Sequence, residues 1–180
     1  MNAIAVDHWG KILKRSYCHY FVAIALLIAN FACLAEPEIS AVRTLDSWSL
    51  TDIEQNKLDF APGAGPDYRV ILFWASWCPY CKALMPHLER FRQAHKDGSI
   101  EFYALNIWED GDAKAYVEKT AFKFRLFLNA DKVAEQYGVK GTPGLFMVNK
   151  QNEVLYERRS GTAPEQVITD LDFILANQAR

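Results

Sequence analysis

Cysteine is scarce in this chain once the first 35 residues are set aside. Of the four cysteines among 180 residues, Cys18 and Cys33 lie in that N-terminal segment, and only Cys78 and Cys81 follow it. One pair cannot form the framework of several disulfides that stabilises many small secreted domains. A disulfide between these two would also close a very short loop, which restricts the unfolded chain little. We therefore attribute the pair to reactivity rather than to stability.

Runs of one charge are also absent from the sequence. The formal net charge is −2 and no lysine- or arginine-rich tract occurs, so nothing indicates a nucleic-acid partner. The hydrophobic fraction is 51%, with eleven phenylalanines and five tryptophans, which is typical of a globular domain with a substantial core.

One long apolar run lies near the N-terminus, over residues 20–34, and three cations precede it: Lys11, Lys14 and Arg15. A basic segment, an apolar stretch and a small-residue exit are typical of a secretory leader. The pattern predicts a signal peptide over residues 1–35, cleaved after Ala35, and a mature domain over residues 36–180. The alternative is an uncleaved membrane anchor through residues 20–34, although a full span needs roughly twenty apolar residues.

The mature segment alternates between strand and helix periodicities. Residues 36–67 form an N-terminal extension, and the continuous apolar run over residues 70–74 predicts a strand that is buried on both faces. After Cys78 the apolar residues recur with the period of a helix, and four polar residues fall on its opposite face: Lys82, Glu89, Arg90 and Arg92.

The remaining elements complete an alternating order. Further strands are predicted over residues 100–107, 124–128, 145–148 and 154–158, and further helices over residues 112–119, 131–137 and from 164 onwards. We interpret the charged run Glu157-Arg158-Arg159 as the solvated end of the last strand. This order predicts an α/β fold in which helices flank a central mixed β-sheet.

The two cysteines lie where the buried strand gives way to the helix. Cys78 is expected at the helix N-terminus, where free N–H groups and the helix dipole favour a thiolate. Cys81, one turn later on the inward face, is expected to be more shielded. An exposed sulfur that attacks and a buried sulfur that resolves the mixed disulfide suit thiol–disulfide exchange. The sequence therefore predicts a redox-active Cys78–Cys81 disulfide with two catalytic cysteines and no cofactor.

A structural metal site is the alternative interpretation of the cysteine pair. Zinc needs four ligands, usually from two pairs. The only nearby candidates, His87 and His95, lie on the same predicted helix as Cys81 at unsuitable spacing. We therefore predict no metal.

Two motifs resemble those of the thioredoxin family. The sequence FWASWCPYCK over residues 73–82 resembles the active-site signature, and Pro86 matches the proline that kinks the active-site helix. The sequence YGVKGTP over residues 137–143 resembles the second signature, which ends in a cis-proline. The likeness extends over roughly residues 68–176, and it implies the thioredoxin fold.

The same resemblance assigns a substrate face around the cysteines. It implies that Pro143 faces the two sulfurs and that the backbone of Thr142 pairs with the substrate chain. Next to the cysteines, Trp77, Pro79 and Tyr80 are expected to shape this face.

The chain is more specifically similar to the TlpA-like branch of exported thioredoxins. A leader, an N-terminal extension and an additional helix and strand between Ile107 and Tyr137 resemble that branch. Two positions depart from the familiar patterns. Leu72 stands where thioredoxin has a buried aspartate, and Leu84 stands where some TlpA-like reductases have a glutamate, so neither familiar proton acceptor for Cys81 is present.

The predicted function is that of an exported, periplasmic protein dithiol–disulfide oxidoreductase. Its substrates would be protein cysteines, and its electron partner a membrane-embedded thiol carrier. Resemblance to the TlpA-like branch implies a reductase. Two alternatives remain: a Dsb-type disulfide oxidase or isomerase, with which Pro79-Tyr80 is compatible, and a non-catalytic binding module or chaperone on the same scaffold.

Overall fold

The structure, a computed structural model, describes residues 42–178. The predicted signal peptide or anchor over residues 1–35 lies outside the described residues. Within the described range, no helix is both long enough and apolar enough to cross a membrane.

The predicted N-terminal extension folds into an antiparallel hairpin of two strands, β1 (Trp48–Thr51) and β2 (Lys57–Phe60). Its inner face is aromatic, because Trp48 stacks on Phe60 with ring centroids 5.0 Å apart. Leu45 and Trp48 are buried, and Leu50 is half-buried. The extension therefore packs as part of the domain.

Five further strands form the central sheet: β3 (Tyr68–Trp74), β4 (Ile100–Asn106), β5 (Arg125–Phe127), β6 (Gly144–Asn149) and β7 (Val154–Glu157). Their order across the sheet is β5-β4-β3-β6-β7. Strands β3, β4 and β5 are parallel to one another, whereas β6 is antiparallel to both β3 and β7. This is the mixed sheet that the sequence predicts.

Helices and the hairpin cover the two faces of that sheet. The helices are α1 (Pro79–Ala94), α2 (Ala113–Glu118), α3 (Asp131–Gln136) and α4 (Pro164–Gln178). Alternate side chains of β3 enter two separate apolar clusters. Val70, Leu72 and Trp74 join a cluster with α1, α2 and α4, while Ile71 and Phe73 join a cluster with α3 and the hairpin. A strand buried on both faces, as predicted for β3, requires these two covering layers.

The N-terminal extension also contacts both outer strands of the sheet. The Val154 N–H, at the start of β7, donates to the Arg43 carbonyl at 2.8 Å. At the opposite side, the Ile53 N–H donates to the Leu126 carbonyl of β5 at 3.1 Å. The extension thus spans one face of the sheet from side to side.

The segment between β4 and α3 contains the helix and the strand that the sequence predicts there. Helix α2 begins after Asp112, whose carboxylate accepts from the Ala115 N–H at 2.8 Å, a normal N-terminal cap. Strand β5 then adds to the sheet beside β4.

Glu89 corrects one prediction, because it is buried rather than on the solvent face of α1. Its carboxylate accepts from Arg92 Nη2 at 2.7 Å, from Gln93 Nε2 at 3.0 Å and from the Lys123 N–H at 3.1 Å. Burial alone would raise the pKa of Glu89, but these hydrogen bonds hold the pKa below its usual range. The α2–β5 connection covers this side of α1. The periodicity of α1 does not reveal that a later segment packs there, so the burial of Glu89 could not be predicted from it.

We expect Glu89→Ala to lower the free energy of unfolding at pH 7 by about 2–3 kcal/mol, because hydrogen bonds to a charged group are lost and the Lys123 N–H is left without a partner. Urea unfolding measures the change. Glu135→Ala, at an exposed position of α3, is the control and should change the free energy by less than about 0.5 kcal/mol. Equal losses in the two variants would contradict the structural role of Glu89.

Candidate active site

The cysteine pair lies in the turn that connects β3 to α1. Strand β3 ends at Trp74, and the Cys78 N–H donates to the Ala75 carbonyl at 3.1 Å, which closes the turn. Helix α1 begins at Pro79, where a missing N–H costs nothing. Cys78 is therefore the N-cap residue of α1, as the sequence predicts.

Cys78 and Cys81 are joined in a disulfide, with their Cα atoms 5.3 Å apart. Cys78 Sγ accepts a hydrogen bond from the Cys81 N–H at 3.1 Å. This is one of the free N–H groups of the first helical turn, and it points at the sulfur that the sequence assigns as nucleophile. The same contact would stabilise a Cys78 thiolate after reduction.

The expected difference in exposure between the two cysteines is not present in this disulfide form. Cys78 is 1% exposed and Cys81 is 0% exposed, and both belong to the apolar cluster beneath α1. The flanking side chains of Trp77 and Tyr80 are exposed instead. The assignment of Cys78 as nucleophile therefore rests on its place at the helix N-terminus and not on exposure.

The second motif lies at the same end of the sheet. Gly144, the first residue of β6, is paired with Phe73 near the end of β3, so Pro143 is adjacent to the turn that contains the cysteines. The Thr142–Pro143 peptide bond is cis, Pro143 is buried and Thr142 is half-buried. The structure thus brings both sequence motifs together.

The two positions that depart from the family patterns are both in the core. Leu72 and Leu84 are fully buried in the same apolar cluster as the cysteines. The surroundings of Cys81 are consequently apolar at both positions where a proton acceptor is familiar.

Glu109 is a site residue that sequence reasoning missed. Its carboxylate accepts from the Ser76 N–H at 2.9 Å, from Ser76 Oγ at 2.6 Å, from Asn106 Nδ2 at 2.6 Å and from the Gly111 N–H at 2.9 Å. Partial burial would raise the pKa of Glu109, but these donors together hold the pKa below its usual range. An ionised carboxylate therefore fixes the turn two residues before Cys78.

Arg158 is a second missed residue, because Glu157 and Arg159 are exposed, as predicted for a solvated strand end, whereas Arg158 is not. Its side chain is half-buried, with Nη1 3.4 Å from the Pro143 carbonyl oxygen and Nη2 2.7 Å from that of Thr162. Arg158 also lines a cavity of about 370 Å³ beside Thr142 and Pro143. The guanidinium thereby joins the Pro143 loop to the start of α4.

The histidines considered as metal ligands are directed elsewhere. His87 Nε2 is 3.5 Å from a carboxylate oxygen of Glu165 on α4, and His95 Nδ1 is 3.0 Å from the Phe91 carbonyl oxygen. Among residues 42–178, no group of three or more His, Cys, Asp or Glu side chains is arranged to hold a metal ion.

Comparison with known families identifies the domain. Residues 43–157 match the family described as AhpC/TSA, which is more than half of the chain. The chain belongs to the AhpC/TSA family. The match begins in the N-terminal extension and ends at the last residue of β7, so it includes both cysteines and the Pro143 loop.

Curated relatives of the chain are named thiol–disulfide oxidoreductases. ResA of Geobacillus kaustophilus is 30% identical over 118 residues, which cover 62% of this chain and 64% of that protein. ResA of Bacillus subtilis is 24% identical over 150 residues, which cover 82% of this chain and 83% of that protein. The predicted membership of a thiol–disulfide oxidoreductase family is confirmed.

Solved structures with the same fold include two oxidoreductases. A putative thiol:disulfide interchange protein DsbE from Chlorobium tepidum aligns with a TM-score of 0.63 at 21% identity, over 73% of this chain and 95% of that one. The thioredoxin domain of a thiol–disulfide oxidoreductase from Bacteroides vulgatus aligns with a TM-score of 0.62 at 17% identity, over 76% of this chain and 98% of that one. The predicted thioredoxin fold is confirmed.

Within this AhpC/TSA domain, we expect Glu109→Gln to lower the free energy of unfolding at pH 7 by about 1–2 kcal/mol, because a neutral amide accepts hydrogen bonds more weakly than a carboxylate. The folded-state pKa of Glu109 lies below the ordinary value of 4.5, so its contribution is complete above that value and is lost as pH falls through the folded-state pKa. The difference between wild type and variant should therefore shrink below about pH 4.5. Urea unfolding at neutral and acidic pH measures it.

The control for this experiment is Glu118→Gln, at an exposed position of α2. It should change the free energy of unfolding little at neutral pH. A Glu109→Gln deficit that stays constant or grows with acidification would show that the carboxylate charge does not stabilise the turn.

Proposed function

We propose that this protein is an exported thiol–disulfide oxidoreductase that reduces protein disulfides through Cys78 and Cys81. The observation that carries the proposal is the disulfide at the N-terminus of α1, with Cys78 Sγ accepting the Cys81 N–H. The naming of the curated relatives as thiol–disulfide oxidoreductases supports the same reaction class.

In the proposed reaction, the Cys78 thiolate of the reduced protein attacks one sulfur of a client disulfide. The client S–S bond breaks, a Cys78–client mixed disulfide forms, and the other client sulfur leaves as a thiolate. Cys81 then loses its proton, which the first released client thiolate takes up, and attacks Cys78 Sγ; this forms the Cys78–Cys81 disulfide and releases the second client thiolate. Two electrons pass from the protein dithiol to the client, and no metal or organic cofactor is required.

The surroundings of the cysteines support the direction of electron flow. Both sulfurs are enclosed by apolar side chains, and an ionised Glu109 is bonded to the same turn. Both features disfavour a thiolate and so oppose the effect of the Cys81 N–H, and we propose that together they favour the disulfide over the reduced form. A couple that prefers its disulfide donates electrons readily, as a reductase must.

The cellular setting in the proposal follows from the predicted leader over residues 1–35. An exported reductase needs a dithiol donor outside the cytoplasm, for which a membrane-embedded thiol carrier is the expected class, and its site of action would be the periplasm. One structural neighbour, from Mycobacterium tuberculosis, is described as a secreted disulfide oxidoreductase, which is compatible with this setting.

Single cysteine variants test the reaction. Cys78→Ser should abolish reduction of a protein disulfide such as that of insulin, whereas Cys81→Ser should accumulate a mixed disulfide through Cys78, because no second thiol resolves it. Mass spectrometry of the trapped species identifies the cysteine that carries the client. Full activity of Cys78→Ser would disprove the role of Cys78, whereas a wild-type protein that reduces no protein disulfide would favour the non-catalytic binding module.

The equilibrium reduction potential tests the direction. We expect a value near or below about −230 mV, in the range of thioredoxin and glutaredoxins rather than near the roughly −120 mV of a strong disulfide oxidase. Equilibration with glutathione or dithiothreitol, followed by alkylation of free thiols, measures it. A potential close to that of the oxidase would favour the Dsb-type alternative.

A further inference from the structure

Large exposed apolar side chains are concentrated around the disulfide. Five are present among residues 42–178: Trp77 (46% exposed) and Tyr80 (73%) are next to the cysteines in the chain, and Trp108 (40%) is hydrogen-bonded to Trp77. The other two, Val42 and Phe173, belong to the N-terminal extension and to α4. We call Trp77, Tyr80 and Trp108 the aromatic platform.

Trp108 has a backbone conformation that is unusual for a bulky residue. It lies in the loop after β4 with φ at 50°, in the left-handed region. Glycine adopts this region without cost, whereas a bulky side chain there is strained. The three other non-glycine residues of the described chain with positive φ have amide side chains: Gln55, Asn129 and Asn152.

Main-chain contacts hold Trp108 in place. Its N–H donates to Asp131 Oδ1 at 2.9 Å, and its carbonyl accepts from Trp77 Nε1 at 2.7 Å. The residues on either side are also fixed, because the Ile107 N–H donates to the Trp74 carbonyl and Glu109 binds Ser76. None of these contacts uses the indole of Trp108.

The main-chain hydrogen bonds of Trp108 therefore do not explain why a bulky and partly exposed side chain occupies this strained position. A glycine would make the same main-chain hydrogen bonds at a lower conformational cost. Strained residues of this kind are concentrated at functional sites, and an exposed indole beside a reactive disulfide is well suited to contact another molecule.

We infer that Trp108 is a specificity-determining residue that contacts the client polypeptide and favours an apolar side chain next to the reacting cysteine. This inference rests on the proposed function. A client cysteine bonded to Cys78 brings its neighbouring residues, spaced about 3.3 Å apart along an extended chain, next to Trp77. Trp77 is hydrogen-bonded to Trp108, so the same client segment reaches both indoles.

The occupant of the aromatic platform is thus an extended segment of a client protein. The indole N–H of Trp77 already has its partner in the Trp108 carbonyl, so no polar group of the client is needed there. Aromatic side chains at such a surface gain affinity mainly from burial against apolar groups.

The test compares two peptides that each carry one cysteine in a disulfide with thionitrobenzoate, one with leucine and one with serine beside the cysteine. Dithiobis(nitrobenzoate) serves as the small disulfide without a peptide. Stopped-flow absorbance follows thionitrobenzoate release by the reduced protein, whose dithiol is oxidised as the probe disulfide is reduced to two thiols. Wild type should prefer the leucine peptide to the serine peptide.

In Trp108→Gly, the ratio of the rate constant for the leucine peptide to that for dithiobis(nitrobenzoate) should fall about tenfold, as expected for loss of an interface anchor. The variant should remain folded, because the left-handed conformation suits glycine and offsets part of the packing that is lost with the indole. Trp108→Phe should recover part of the ratio, since it restores an aromatic surface.

Two control variants each match one aspect of Trp108→Gly: the change of backbone at a positive φ, or the loss of an exposed aromatic ring. Gln55→Gly replaces another residue with positive φ, in the β1–β2 turn, and Phe173→Ala removes another exposed aromatic ring, on α4. Both should retain the wild-type ratio.

Two results would overturn the inference. If Trp108→Gly slows all three probes equally, Trp108 acts on the disulfide and not on the client; if the ratio is unchanged, its indole does not contact the client. Either result leaves the wild-type turnover intact, whereas failure of the wild-type protein to reduce any probe would reject the proposed function itself.

Discussion

The burial of β3 on both faces is the constraint on which the site depends. Because alternate side chains of this strand enter two apolar clusters, β3 is fixed in position and in register against β4 and β6. Parallel β4 brings its carboxyl end beside that of β3, and antiparallel β6 brings its amino end there. The cysteine turn, the Trp108–Glu109 loop and the Pro143 loop consequently leave the sheet at one end.

Sequence reasoning predicted the features that depend on neighbouring residues. The apolar run of β3, the helical period after Cys78 and the two short motifs are all local patterns, and the sheet, α1 and the cysteine turn follow them. The order of the predicted strands and helices along the chain was then enough to predict the fold class, because alternating strands and helices have few ways to pack.

The residues that sequence reasoning missed act over long separations. Glu109 is 33 residues from Ser76, Glu89 is 34 residues from Lys123, and Arg158 is 15 residues from the Pro143 carbonyl that it contacts. Each is a charged residue whose partner is determined by the tertiary structure. In a single sequence, such a residue cannot be distinguished from a charged residue on the surface. The prediction that Cys78 is exposed was wrong for a related reason. An apolar cluster encloses the turn, and such enclosure depends on tertiary packing rather than on neighbouring residues.

The site that results has an uneven distribution of polarity. Beneath the cysteines the surroundings are apolar, with leucines at both positions familiar for a proton acceptor, while charge is placed at the margins in Glu109 and Arg158. These charged groups bind main-chain atoms of the loops and so determine loop geometry, while the sulfurs retain an environment of low polarity.

The path of the N-terminal extension has a consequence for solubility. An outer strand with unpaired N–H and C=O groups is a template for pairing with another chain, and such pairing leads to aggregation. Here the contacts of Arg43 with the start of β7 and of Ile53 with β5 occupy part of each outer edge. A shortened domain limited to residues 68–176, the part that resembles thioredoxin, would lose both covers and present two open edges to its neighbours. The extension therefore both contributes to the core and hinders strand pairing between molecules.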